Sequence, residues 1–488
     1  MKEIREEKDD NDEYKNFERQ ISNTKYLSIK NKKTIFNILI FSIIVIISLI
    51  ILYILFSQKE KYETWKKYIY SNDENNNSHN LIHYFNIKEC EVENCEECIG
   101  SELNNICSKC NPGYKLKEGK CILNHSIKAI FDTSKAQYDY SIIINNLFVH
   151  YITEMIVDGD IVPRYHIHNF HIKGIHTIYL LMNLTECNSL DFLFKDAKEL
   201  ISINFTPLFN TQNITNINSM FYNCVLLKSI DFSNFNTENV ITMNNLFSKC
   251  SSLVSIDLSN FNTINVEDMN GMFSFCNSLI SIDLSYLNMQ NVKRLDGMFF
   301  NCSKLTSINF EKINTNNLLN MNSMFYGCSS LKNINLSYFK TKNVVNMNYL
   351  FYNCNSLNEI NLNYFDTGNV IGMISMLYGC NSLKNINLSN FNTKSVKQMS
   401  NMFYNCTLVT SIDLSNFDTS SLEDISHMFY NCESLNYIDV SSFYIKSSEN
   451  IDLFKNISDF GVIKINKGLL DRIEDQIPVS WNIQLIDE

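Results

Sequence analysis

Apolar and polar positions between residues 193 and 445 follow one short pattern written many times over. In Leu253-x-x-Ile256-x-Leu258-x-x-Phe261, aliphatic residues alternate with polar ones, which predicts a strand with one buried face. In Val266-x-x-Met269-x-x-Met272-Phe273-x-x-Cys276, apolar residues recur at three and four, which predicts a short helix. Asn262, Thr263 and Asn265 lie between the two and supply turn and capping chemistry. The unit recurs every 26 residues, marked by Cys224, Cys250, Cys276, Cys302, Cys328, Cys354, Cys380, Cys406 and Cys432. One such unit cannot bury its own apolar edge, but a stack of them builds a continuous core. The expectation is an α/β solenoid of strand–helix turns.

The array also writes its own ends. In a worn first copy, Leu200, Ile203 and Phe205 take the strand positions and Ala197 the cysteine slot. In the last copy Phe460, Ile463 and Ile465 take those positions, and Ile457 the slot. A slot that accepts Ala and Ile asks for a compact apolar group, so the nine cysteines are expected to be buried free thiols. A disulfide ladder and a metal–thiolate stack are the alternatives. An odd number of equivalent, stacked positions does not bring thiols together in pairs. Four Pro and 13 Gly in 488 residues further suggest an architecture that does not depend on glycine turns.

Outside the array the pattern changes. Residues 1–34 are a mixed-charge stretch without a core, expected to be a disordered cytoplasmic tail. Residues 35–56, IFNILIFSIIVIISLIILYILF, carry no charge and are long enough to cross a bilayer as a helix. Lysine and arginine are slightly denser before this run than after it, which favours a cytoplasmic N-terminus. Residues 57–89 are polar and read as a stalk. Cys90, Cys95, Cys98, Cys107, Cys110 and Cys121 then crowd into a segment with almost no apolar core, which needs covalent staples or a metal. Three disulfides are favoured over zinc, because the gap between the two C-x-x-C pairs is short for a zinc ribbon. Disulfides belong outside the cytosol. Both lines lead to a single-pass plasma-membrane protein with an extracellular C-terminal side. Residues 122–192 read as a β-rich N-terminal cap, with a hairpin at IVDGDIV (156–162) and a buried strand at 172–182. Residues 446–488 read as the degenerate last repeat followed by a closing strand, helix and strand.

The repeat phrase, as in MFYGCSSLKNINLSYFKTKNVVNMNYLF, resembles the BspA-type leucine-rich-repeat surface proteins, in particular the 25- to 26-residue variant first seen in mycoplasma surface lipoproteins. A period of 26 also lies within the leucine-rich-repeat range. The segment CNPGYKLKEGKC at 110–121 resembles the last loop of EGF-like modules. What the first resemblance implies is a cell-surface array with a role in adhesion. The membrane anchor and the cysteine-rich module depart from that family and weaken the transfer of any particular partner.

Candidate chemistry is sparse. No P-loop, G-x-S-x-G, H-E-x-x-H or dinucleotide turn occurs, so neither an enzyme nor a cofactor is expected. A net charge of -11 without a basic patch argues against nucleic acid. His166, His168, His171 and His176 could hold a metal or simply line a solvated strand edge. The place of Cys187 is not evident. The central strand column, Asp231, Asp257, Asp283, Asn309, Asn335, Asn361, Asn387, Asp413 and Asp439, is expected to face solvent from a continuous parallel sheet, free of aromatic anchors before Tyr437. A protein or glycan ligand on the extracellular side is expected there; the alternative is a passive coat or spacer. Sequons at Asn76, Asn124, Asn183, Asn204, Asn213 and Asn456 fall outside the regular strands and are glycosylation candidates, whereas those at Asn335 and Asn387 sit on the sheet. Protease added to intact cells should remove everything beyond the 35–56 run. Protection of the C-terminal part would overturn the expected topology.

Overall fold

The computed structural model describes residues 95–486, apart from 100–105, 112–113, 118–119, 124, 139 and 445–451. The tail, the 35–56 run, the stalk, Cys90, Asn76 and Asn124 lie outside the described residues. Among the described ones no helix is long and apolar enough to cross a membrane.

Two small hairpins come first. Strands β1 (Cys95–Ile99) and β2 (Ile106–Cys110) pair antiparallel with Cys95 opposite Cys110 and Cys98 opposite Cys107. Cys110 is disulfide-bonded. Strands β3 (Tyr114–Lys117) and β4 (Lys120–Leu123) form the second pair.

The cap is built on β5 (Ile127–Asp132), flanked antiparallel by β10 (Ile175–Met182). Between them in sequence come β6 (Tyr140–Ile142), β7 (Ile152–Val157), β8 (Asp160–Ile161) and β9 (Ile167–Asn169). The β7–β8 hairpin turns through Asp158 and Gly159, both at positive φ, so the turn expected at IVDGDIV forms. The buried strand expected at 172–182 begins at Ile175, because Gly174 bonds Thr133 instead of continuing the ladder. The other edge of β5 pairs antiparallel with β11 (Leu200–Phe205), the first turn of the array. One six-stranded sheet therefore runs from the cap into the array, and the first repeat never exposes a free strand edge.

Beyond β11 the chain is a solenoid. Each turn sends Leu, Ile, Met, Phe and Cys inward, as with Leu305, Met321, Met324, Phe325 and Cys328, all fully buried. Strands are short and intermittent: β12 (Ser229–Asp231), β13 (Ser281–Asp283), β14 (Ser307–Asn309), β15 (Ser411–Asp413), β16 (Tyr437–Val440) and β17 (Val462–Ile465). The continuous sheet expected from the sequence is thus broken into parallel pieces, β11–β12, β13–β14 and β15–β16–β17. Each extended stretch is confined to about three residues because a side-chain-capped turn follows it at once.

The short helix expected in every turn does not form. The one α-helix among the described residues, α1 (Lys467–Ile473), follows the array and leads to β18 (Asn482–Leu485), which pairs with β17. Within a turn, residues five and one before each cysteine sit at positive φ, for example Ser323 at 55° and Gly327 at 69°. That geometry points alternate N–H groups out of the turn. Ser323, Phe325 and Gly327 donate to Asn348, Leu350 and Tyr352 of the next turn, while Met324, Tyr326 and Cys328 bond within their own. The period of three and four is real, but it reports two buried sides of a coil that bonds its neighbour. Four of these eighteen left-handed positions are glycine (Gly271, Gly297, Gly327, Gly379) and most others are Asn, Ser or Lys, so glycine scarcity did not exclude a tightly turned chain.

Two side-chain columns complete the stack. The nine cysteines are unpaired and buried, and each thiol donates to the carbonyl of the preceding turn, as Cys328 Sγ does to Phe299 at 3.2 Å. Burial pushes the thiols up, Cys302 and Cys380 to about 12, so none is a thiolate at neutral pH. On the other side of the core, threonine hydroxyls replace a strand partner. Thr341 Oγ1 donates to Asp366 O at 3.0 Å and accepts from Asp366 N at 2.8 Å. Thr211, Thr237, Thr315, Thr367 and Thr419 repeat both bonds, Thr263 and Thr393 repeat the donation, and Met289 interrupts the column.

The far end departs from expectation in one place. Phe460, assigned a core position, is 72% exposed, and Trp481 is buried against Gly461 with Nε1 bonded to Ser458 O. A Cβ at residue 461 would strike that indole, so the closing segment displaces the phenylalanine.

The two columns should respond differently to substitution. Cys328→Ala leaves Phe299 O bonded to the Cys302 N–H, so the cost is that of a small cavity and a weak donor, about 1 kcal/mol. Thr341→Val strands both backbone groups of Asp366 and should cost more, on the order of 1–3 kcal/mol. Urea midpoints in which the alanine variant is the less stable would refute this account.

Candidate binding face

The column of Asp and Asn residues was expected to be free for a partner, and most of its side chains are exposed. It is nevertheless employed. In every turn its Oδ1 accepts the backbone N–H two residues on: Asp257 from Ser259 at 2.9 Å, Asn335 from Ser337 at 3.1 Å, Asn361 from Asn363 at 3.0 Å. These are Asx turns, and they bend the chain off the strand toward the next buried leucine. Asp231, Asp283, Asn309, Asn387 and Asp413 do the same. Asp439 adds the Ser441 hydroxyl, is itself buried, and lies 3.6 Å from the Lys464 amine. The second carboxylate or amide atom of most members still faces solvent, so the column is a framework with spare hydrogen-bonding capacity.

Three residues that the sequence reading passed over stand beside it. Three positions after the column residue, Asn234, Asn390 and Asn416 donate to backbone carbonyls of the previous turn. Tyr286, Tyr338 and Tyr364 occupy the same slot and place exposed rings there. The signal was available: tyrosine interrupts an asparagine slot in LSYL, LSYF and LNYF. A shallow depression of about 430 Å³ lies on this face between Ser281 and Asn335.

A second aromatic row does not offer a platform. Phe300, Tyr326, Tyr352, Tyr378 and Tyr404 stack turn upon turn with centroids 4.4–4.7 Å apart. Their faces are spent on one another. Burial, with the flanking tyrosines, pushes Tyr352 up to about 12.

The remaining candidates are placed as follows. His176 Nδ1 lies 2.7 Å from Asp158 and its Nε2 2.9 Å from Ile172 O, which ties it into the cap. His168 packs edge-on against Phe170, and burial lowers its pKa. Cys187 is buried and bonds Ser189 O. Of the glycosylation candidates, Asn204 is not outside the strands: it lies in β11 and donates to Asp231 at 2.5 Å. Asn183 Oδ1 accepts from the backbone of Thr185, Asn213 is 3.5 Å from Thr185 O, and Asn456 is exposed and donates to Asn431.

Stacked 26-residue turns with an inward leucine, isoleucine and phenylalanine and a polar strand face define a β-solenoid of the leucine-rich-repeat kind. The family described as Mycoplasma protein of unknown function, DUF285, matches residues 188–308, 294–412 and 359–466, together more than half of the chain, and the chain belongs to that family. Among solved structures, a leucine-rich-repeat protein from Bacteroides ovatus is 21% identical, covering 64% of this chain and 88% of its own, with a TM-score of 0.33. The TLR13–ssRNA13 complex gives 14%, 61%, 52% and a TM-score of 0.20. No curated protein matches this chain.

The Asx turns predict an acid response. Asp257 and Asp413 are held below the usual carboxylate range first by backbone N–H bonds from Ser259 and Ser415, and Asp283 first by the Ser285 side chain. A folded pKa below the unfolded one gives stability that is complete above the unfolded value, about 3.9, and is lost as pH falls through the folded value. Replacing all three by Asn, which fills the slot in four other turns, should flatten the acid limb of a Tm–pH curve. An unchanged limb would show that these carboxylates are uncoupled from folding.

Proposed function

We propose that this chain is a membrane-anchored, non-catalytic surface protein whose strand face binds an extended protein or glycan ligand. The observation that carries this reading is the row Tyr286, Tyr338 and Tyr364, with exposed rings in a slot that elsewhere serves the stack. Exposed aromatic rings beside amides and carboxylates recognise a ligand through apolar contact at the ring and hydrogen bonds around it. At roughly 4.8 Å per turn, about ten turns present a face on the order of 50 Å long. Single contacts on so polar a face are weak, and repetition supplies the affinity. The reading includes a membrane anchor at 35–56, a disulfide-stapled segment at 90–121 and a cytosolic N-terminus of the chain.

The coat or spacer reading has an observation of its own, since the Asp and Asn column is already explained by turn formation. A glycan array and immobilised extracellular-matrix protein, probed with the chain as monomer and as tetramer, separate the two. Binding that rises with valency and falls at least about tenfold in Tyr338→Ala/Tyr364→Ala, a loss of about 1.4 kcal/mol, supports a ligand face. Binding indifferent to those rings moves the site elsewhere. No binding at any valency leaves the spacer.

A further inference from the structure

The position two residues before each cysteine holds tyrosine in six turns, Ser248 and Ser274 in two and Phe300 in one. The serine turns keep the same bonds to the next turn, Phe247 N–H to Met272 O and Phe273 N–H to Met298 O, both at 2.9 Å. The solenoid therefore stacks without a ring in this slot, and the run of tyrosines is a choice that the fold does not impose.

Where tyrosines follow one another the rings lie parallel. Tyr326–Tyr352, Tyr352–Tyr378 and Tyr378–Tyr404 have centroids 4.4, 4.4 and 4.7 Å apart and planes within 5°, 9° and 10°. The Tyr352 hydroxyl is also hydrogen-bonded to those of Tyr326 and Tyr378. Parallel rings that approach at both the centre and the hydroxyl are in register, so the ortho carbons of one face the ortho carbons of the next. At the far end Tyr430 is tilted by 36°, 5.8 Å from Tyr404, and its hydroxyl bonds Asp452 instead. The rings from Tyr326 to Tyr404 are half-buried, with an edge toward solvent.

We propose that this stack is an oxidative modification site, at which a one-electron oxidant joins Tyr326 to Tyr352, Tyr352 to Tyr378 or Tyr378 to Tyr404 as dityrosine. Each of two adjacent phenols gives one electron to the oxidant and one proton, through the hydroxyl row, to water. The two phenoxyl radicals pair their electrons in a carbon–carbon bond between ortho carbons. The hydrogens on those carbons then move to the oxygens and restore both phenols. With a haem peroxidase as the source of oxidant, the two electrons and two protons reduce one hydrogen peroxide to two waters. The new bond ties residues 26 apart in sequence and restricts the unfolded chain, as a disulfide would. The nine thiols of the array are buried and unpaired and form no such staple.

The test illuminates the dilute, purified full-length chain with tris(bipyridyl)ruthenium and persulfate, a one-electron oxidant small enough to reach half-buried rings. Dityrosine fluorescence should appear in the monomer band of a reducing gel. Mass mapping should join peptides that hold Tyr326, Tyr352, Tyr378 and Tyr404, with two hydrogens lost per bond. Tyr352→Phe/Tyr378→Phe keeps the stack but leaves no two tyrosines in parallel contact, so the monomer signal should fall several-fold with an unchanged melting curve. Tyr338→Phe/Tyr364→Phe removes as many phenols, from more exposed positions one turn apart, and should keep the signal. Equal losses in the two double variants, or links mapped chiefly to Tyr338 and Tyr364, overturn the proposal. Dityrosine confined to dimers overturns it as well.

Discussion

What this structure depends on is the backbone bond from one turn to the next. The ladder through Ile241, Glu267, Lys293 and their successors runs unbroken to Glu423, while the strands on the opposite side come and go. A solenoid turn has no neighbours other than the turns before and after it, so each buried N–H and C=O that fails to find them is left without a partner. The left-handed residues before every cysteine meet that demand by turning alternate N–H groups toward the next turn. The side-chain ladders are further answers to it: threonine where the backbone cannot reach, and cysteine where a carbonyl has one lone pair to spare.

The cysteine is understood in these terms. A methyl group would fill most of the slot, and Ala197 does so at the first turn, fully buried. The thiol adds a weak donor aimed at a carbonyl that already accepts one bond, within a space too dry for a charge. That combination needs no pairing between thiols and gives them no reactivity, since the same burial that makes the slot useful raises their pKa. Nine copies follow from nine turns and carry no redox meaning.

The period, the core residues and both ends of the array could be read from the sequence because apolar spacing reports burial directly, and burial is what stacks the turns. Hydrogen-bond direction could not be read so. A three-and-four spacing such as Val266, Met269, Met272 and Phe273 is equally compatible with a helix and with a coil that bonds outward. Only the φ angles at Gly271 and Phe275 decide between them, and phenylalanine gives no sign of a left-handed backbone. The candidate face was legible only in part, for the related reason that exposure and availability differ. Asp257 is exposed and still committed to the Ser259 N–H. Tyr364 is exposed without such a commitment in its slot, and it was overlooked because tyrosine is common throughout this chain.

A repeat array therefore separates its residues by what the next turn asks of them. Slots that serve the stack hold one residue type with little variation: cysteine, threonine, the Asx residue, the inward leucine. Slots that vary are where function has room to act. By this criterion the strand-face position three residues after the Asx residue stands apart: it holds tyrosine at 286, 338 and 364, lysine at 312, serine at 442 and asparagine elsewhere. Where it is Asn234, Asn390 or Asn416 the side chain bonds the previous turn, and where it is tyrosine that bond is given up. The stack tolerates the exchange because the backbone ladder through Ile241, Glu267 and their successors holds the turns at the same spacing without it. The rings then stand exposed at fixed heights beside the polar column, and such repetition is the condition under which weak contacts add up to attachment.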